Sequence, residues 1–153
     1  ENRERTSRQR IAVDLDGTLI FNPNPLDETE IPRLRTGATR LLEGLKNTGS
    51  EVVLYTSASR EWVDYVFGLF PQIGNLFENV FCTDNTPVER RSRGIKDPAI
   101  IKADIFIDNF IDSGIQSRLG PRAIQVPGVG FSDSESDQWT IETLDRVNEI
   151  LRR

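Results

Sequence analysis

Along the chain, short apolar runs alternate with longer amphipathic stretches. Ile11-Ala12-Val13 is an unbroken apolar run that ends in Asp14, and it predicts a buried strand over Ile11–Asp14. Glu51–Thr56 predicts a second strand, Asn79–Cys82 a short third, Ala103–Asp108 a fourth and Ala123–Val126 a fifth. Ala38, Leu41, Leu42 and Leu45 recur at helical spacing and predict a helix from Ala38 to Asn47, closed by Gly49. Ser57 or Ser59 can cap a further helix to about Phe70, with Trp62, Val66, Leu69 and Phe70 inward and Pro71 as its stop. A short helix is expected near Asp112–Leu119. The last is expected from near Thr140, with Trp139 and Leu144 as a hydrophobic staple and Ile141, Leu144, Val147 and Leu151 buried.

The polar stretches complete the outline. Residues 21–33, broken by Asn22-Pro23-Asn24-Pro25 and Pro32, read as a loop, as do residues 83–97 and the acidic Ser132–Asp137. Residues 1–10 carry four arginines and two glutamates without periodicity, and read as a flexible charged arm. Strands alternating with helices imply an α/β fold: one Rossmann-like three-layer domain over residues 11–153, around a five-stranded, mainly parallel sheet.

Composition narrows the chemistry. With 153 residues the chain can bury one sizeable core. There is no histidine, which excludes Ser-His and Cys-His nucleophiles, His-ligated zinc and a His general base. Cys82, the single cysteine, lies in an apolar stretch and reads as core packing. Carboxylates, hydroxyls, lysine, arginine and backbone are left to do the chemistry. The net charge of −5 does not favour nucleic acid as a partner. No run is long enough to span a membrane, so a cytoplasmic or other reducing compartment is expected. The chain contains no methionine, and a domain of a longer protein is expected.

Three strand ends switch from apolar to reactive residues. The first carries Asp14 and Asp16 followed by Gly17-Thr18, the second Thr56 and Ser57, the fourth Asp108 and Asn109; Lys96 precedes the fourth strand. Open α/β sheets bind their ligands at such carboxyl ends. Two carboxylates one residue apart repel unless a cation or a shared proton intervenes, and a hard divalent ion such as Mg²⁺ suits oxygen ligands.

These residues resemble the haloacid dehalogenase-like (HAD) superfamily of phosphohydrolases over roughly residues 10 to 126. Asp14-Leu15-Asp16-Gly17-Thr18 is similar to its first motif, Thr56 to its second, and Asp108-Asn109, with Asp112 nearby, to its fourth. Lys96 fits the third best, with Lys102 in reserve. The stretches Leu54–Ser59 and Gly94–Pro98 are most similar to the capless small carboxy-terminal-domain (NLI-interacting-factor-like) phosphatases, although Gly17 stands where that group usually has Glu. The resemblance implies that Asp14 attacks phosphorus to form an aspartyl-phosphate and that Asp16 serves as acid and then base. It implies phosphoryl binding by Thr56, Ser57 and Lys96, and Mg²⁺ held by Asp14, Asp108 and the Asp16 backbone carbonyl. Asn109 is a further candidate for the site, with turn geometry alone as the alternative, and Asp112 is read as a helix cap before a metal ligand.

In that superfamily, cap domains enclose small substrates and are inserted after the first motif or between the second and third. Here those gaps are 42 positions (Asp14 to Thr56) and 40 (Thr56 to Lys96), each filled by ordinary elements. An open site suits a phosphorylated macromolecule, either a phosphoprotein or a nucleic-acid 3′-phosphate end. Arg90, Arg91 and Arg93, with Arg33 and Arg35, are candidates for a rim that attracts such a polyanion. The alternatives are a non-catalytic interaction domain of this fold and a phosphotransferase.

Overall fold

The computed structural model describes residues 8–21, 31–86, 96–128 and 136–153. Five strands form one parallel sheet: β1 (Arg10–Val13), β4 (Glu51–Tyr55), β5 (Asn79–Phe81), β6 (Ile105–Asp108) and β7 (Ala123–Gln125), in the order β5-β4-β1-β6-β7. The five expected strands are all present, each within two residues of its expected ends. Helices α1 (Ala38–Asn47), α2 (Arg60–Leu69), α3 (Pro71–Gly74), α4 (Ser113–Leu119) and α5 (Gln138–Leu151) complete the layers. Among the described residues there is no cap domain, and no helix is long and apolar enough to cross a membrane.

Strand alternation sorts the core onto two faces. Ile11, Val13, Val52, Leu54, Ile105 and Ile107 point to one face, against Leu41, Leu42 and Leu45 of α1, Val63 and Val66 of α2, and Val147 of α5. Ala12, Val53, Tyr55 and Phe106 point to the other, against Ile101, Ile111 and Ile115. Both faces are covered, which is the condition for an all-parallel sheet.

Several local expectations shift. A hairpin-like ribbon, β2 (Ile20–Phe21) against β3 (Arg33–Leu34), stands where only a loop was expected around residues 21–33. Two-residue strands leave too little alternation to detect. Pro71 ends α2 but opens α3, because proline at a first helical position lacks only an N–H that would go unpaired anyway. In α2 the buried stripe is Val63 and Val66, while Trp62, Leu69 and Phe70 are half-buried.

Helix α5 starts at Gln138, two residues before the expected cap. Trp139 and Thr140 therefore lie within it and form no staple. Both are held by tertiary bonds instead: Trp139 Nε1 donates to Thr36 O (2.8 Å) and Thr140 Oγ1 to Gly37 O (2.7 Å). This rotates the buried face to Trp139, Thr140, Thr143 and Val147, leaving Ile141, Leu144 and Leu151 half-buried. At the amino end, Arg10 belongs to β1 and Arg8 pairs with Glu78 (2.8 Å); residues 1–7 of the expected arm lie outside the described residues.

Candidate active site

The sheet register brings the reactive residues together. Val13 pairs with Ile107 and with Leu54, so the next positions, Asp14, Asp108 and Tyr55, stand side by side at the carboxyl ends of β1, β6 and β4. The backbone ladder runs on past the strands: Asp14 N donates to Ile107 O (2.9 Å) and Thr56 N to Phe81 O (2.9 Å). Asp14 and Asp108 lie on the same face as Ala12 and Phe106, by the two-residue alternation. β1 and β6 are also where the strand order reverses, the switch point at which doubly wound sheets bind ligands.

Lys96 closes this pair of carboxylates. Its ammonium contacts Asp14 Oδ1, lies 2.9 Å from Asp108 Oδ2 and donates to Tyr55 O (3.1 Å). All three of its protons are thereby used. Burial would lower the lysine pKa, but the two carboxylates outweigh it and raise the pKa above the ordinary value. Burial, partly countered by Lys96 and reinforced by the Asp14 charge, lifts Asp108 to about 7. Thr18 Oγ1 donates to Asp14 Oδ2 (2.8 Å). Asn109, with its amide oriented to satisfy its neighbours, donates to Asp14 Oδ2 (3.0 Å) and Asp108 Oδ1 (2.9 Å).

Asp16 occupies a different place. Gly17, at φ +81°, turns the chain sharply and bonds back to Ile20 O (2.8 Å). A Cβ at Gly17 would stand 2.8 Å from the Asn109 amide terminus, so this turn excludes larger residues. The Asp16 carboxylate sits at the exposed mouth and accepts from Trp62 Nε1 (3.1 Å). Protein packed around its base removes water and raises its pKa, the Trp62 bond resists this, and the Asp14 charge adds to the rise. These groups line an open cavity of about 180 Å³, with Asp14, Asp16, Ser57, Lys96, Asp108 and Asn109 forming its polar part.

The remaining candidates separate cleanly. Thr56 is buried behind the cavity wall, and its Oγ1 accepts from Ala58 N (3.0 Å), which leaves the hydroxyl proton free to be donated. Lys102 is exposed just before β6, near the start of β1, at the opposite end of the sheet from Asp14. Asp112 caps α4 through Gly114 N (3.0 Å) while lining the cavity edge. Arg35 does not sit on a rim: it is buried, its guanidinium lies 4.0 Å over the Trp139 ring and donates to Thr18 O (3.2 Å). Arg33 is exposed on β3, and Arg90, Arg91 and Arg93 lie outside the described residues.

Two contributors were not singled out from the sequence, Thr18 and Trp62. The signal for Trp62 was an indole N–H in the first turn of a helix that follows a reactive strand end; a half-buried indole needs a polar partner.

The metal question turns on the donor set. Among the described residues, no group of three or more His, Cys, Asp or Glu side chains converges, since the Asp16 carboxylate faces Trp62. Asp14 and Asp108 nevertheless present oxygens to one space, where a single ammonium serves both carboxylates. Two carboxylates of this kind fit a hard divalent cation, with backbone carbonyl or water completing the shell.

With sheet order, strand-end carboxylates and bridging lysine in view, the chain has the haloacid dehalogenase-like fold. It superposes on a variant of the fission yeast RNA polymerase II CTD phosphatase Fcp1 bound to beryllium fluoride, with a TM-score of 0.58 and 17% identity over 97% of this chain. A second Fcp1 structure, described as an essential RNA polymerase II CTD phosphatase, gives 0.57 and 17% over 97% of this chain. The chain spans about half the length of these two, 52% and 51%. An uncharacterized protein from Listeria monocytogenes serotype 4b matches over 95% of this chain and 99% of its own, with a TM-score of 0.59 and 16% identity. No protein-family model matches the sequence, and no curated protein does so. At these identities the likeness is one of fold.

Proposed function

We propose that this domain is a Mg²⁺-dependent phosphomonoester hydrolase. The observation that carries the reading is the division of labour between two aspartates one residue apart. Asp14 is ion-paired, hydrogen-bonded and fixed beside Asp108, whereas Asp16 is separate, exposed and raised in pKa. Two carboxyls whose surroundings push them toward different roles are what a nucleophile and a general acid require.

In this reading an Asp14 carboxylate oxygen attacks phosphorus and the bond to the ester oxygen breaks. Asp16 gives its proton to that leaving oxygen, then takes one from the water that attacks the aspartyl-phosphate. The products are an alcohol and inorganic phosphate, and both aspartates return to their starting states. Lys96 and Asn109 hold Asp14 in place, and the Ser57 hydroxyl on the cavity lining would donate to a phosphoryl oxygen, with Thr56 buried behind that lining. Asp14 and Asp108, with the Asp16 backbone carbonyl, would hold Mg²⁺, which supplies charge neutralisation between the nucleophile and the incoming phosphate.

The open mouth and the lack of a cap among the described residues support a substrate larger than a metabolite, a phosphoprotein or a nucleic-acid 3′-phosphate end. That the Fcp1 structures are of a CTD phosphatase favours the phosphoprotein. The test is hydrolysis of p-nitrophenyl phosphate with Mg²⁺ and with EDTA, by wild type and Asp14→Asn. Activity that needs Mg²⁺ and vanishes in the variant is expected. A folded wild-type protein that neither turns over this ester, a phosphopeptide or a 3′-phosphorylated oligonucleotide, nor binds Mg²⁺, would return the domain to a non-catalytic interaction role.

A further inference from the structure

We propose that Trp62 is a positioning residue for Asp16, holding one carboxylate oxygen so that the other delivers the proton to the leaving group. The inference rests on the phosphatase reading above. Its starting point is the hydrogen bond from Trp62 Nε1 to Asp16 Oδ1 at 3.1 Å, made between residues 46 positions apart.

The indole N–H can only donate. Oδ1 must therefore face it as an acceptor, and the transferable proton belongs on Oδ2. Without such a partner, an exposed aspartate at the mouth of an open cavity rotates among rotamers and presents its proton to the leaving oxygen for part of the time only. With it, one oxygen is anchored to a helix.

The anchor is itself built in. Ser59 Oγ accepts from Trp62 N (3.2 Å) and caps α2, which fixes the backbone of the turn carrying Trp62. The Trp62 ring packs against Tyr65, with centroids 5.5 Å apart and planes tilted by 39°, and against the core beneath. On the other side, the Gly17 turn sets the Asp16 backbone. Two rigid elements thus meet at a single hydrogen bond. Core packing alone would have been met by a phenylalanine at this site; the N–H aimed at Asp16 is what that residue could not supply.

General-acid assistance matters in proportion to how poor the leaving group is. p-Nitrophenolate departs readily unprotonated, whereas an alkoxide does not. The experiment therefore compares wild type and Trp62→Phe on p-nitrophenyl phosphate and on the alkyl ester 2-glycerophosphate. The expected result is a kcat loss of about tenfold on the alkyl ester, under about threefold on the aryl ester, with KM unchanged on both. An equal loss on both esters, no loss, or a change confined to KM overturns the role of Trp62 and leaves the phosphatase reading standing. A wild type inactive on both esters overturns the parent reading, and this one with it.

A second measurement does not depend on the folding of that variant. The chain has two tryptophans, and Trp139 Nε1 is bonded to Thr36 O. In Asp16→Ala, one indole N–H resonance should move upfield while that of Trp139 stays in place. Two unmoved indole resonances would overturn the proposal.

Discussion

Replacing Lys96 by Met tests the charge balance at the heart of the site. Lys96 is enclosed with only 12% of its side chain exposed, and the Asp14 and Asp108 side chains show 7% and 5%. Methionine keeps most of the volume but removes the ammonium, leaving two buried carboxylates side by side. Removing one partner of a buried ion pair costs about 3–5 kcal/mol, chiefly from the charge left behind. For a domain of this size, about 2–4 °C of melting temperature goes with each kcal/mol, so the loss is about 6–20 °C at pH 8 in EDTA.

The pH dependence follows from Asp108. Its folded pKa of about 7 stands above the ordinary 3.8, so the folded state binds the proton more tightly than the unfolded chain. The contribution to stability is full below about pH 4 and is lost as pH rises through about 7. Without Lys96 the carboxyl holds its proton to still higher pH, so the penalty of Lys96→Met is small at pH 5 and large at pH 8. Adding Asp108→Asn to Lys96→Met removes the stranded charge and should recover a large part of the loss at pH 8. Thermal melts of the three proteins at both pH values decide the matter. A Lys96→Met protein as stable as wild type at pH 8, or a double variant no better than the single, refutes the reasoning.

Asp14→Asn should abolish turnover of p-nitrophenyl phosphate while shifting the melting temperature little, because Asp108 still balances Lys96; wild-type turnover would move the nucleophile elsewhere. Gly17→Ala should destabilise by about 1–2 kcal/mol from the left-handed backbone alone, with a further loss of activity as the Asn109 amide is displaced, read by urea unfolding and kcat. Cys82 is fully buried and should react with a thiol reagent only on unfolding; rapid labelling of the native protein would contradict its place in the core. If Arg90, Arg91 and Arg93, which precede Lys96 in the sequence, attract a polyanion, raising salt from low to physiological should weaken hydrolysis of a phosphorylated polymer far more than that of p-nitrophenyl phosphate; equal sensitivity would remove that reading.

The elements that were legible in the sequence are those whose pattern is local. The run Ile11–Val13 and the stripe Ala38, Leu41, Leu42 and Leu45 are all buried as their periods require. Asp112 caps α4 because a helix N-terminus needs an acceptor wherever it lies in the fold. The start of α5 was misplaced for the opposite reason. Trp139 and Thr140 look like the approach to a helix until Thr36 and Gly37, more than 100 residues earlier in the chain, supply their partners. Arg35 likewise reads as a surface charge until the Trp139 ring covers it.

The sequence by itself determined the fold class, the strand that carries Asp14, the turn at Gly17 and the absence of histidine chemistry, since each depends on neighbouring residues or on composition. Tertiary structure decided which lysine serves the site, because Lys96 and Lys102 lie six residues apart yet at opposite ends of the sheet. It also decided that Asp14 and Asp108 share one cation while Asp16 turns to Trp62. Those outcomes depend on strand register and on where α2 docks. Distances between residues 12 to 94 positions apart are set by packing of the whole core, and no local period encodes them.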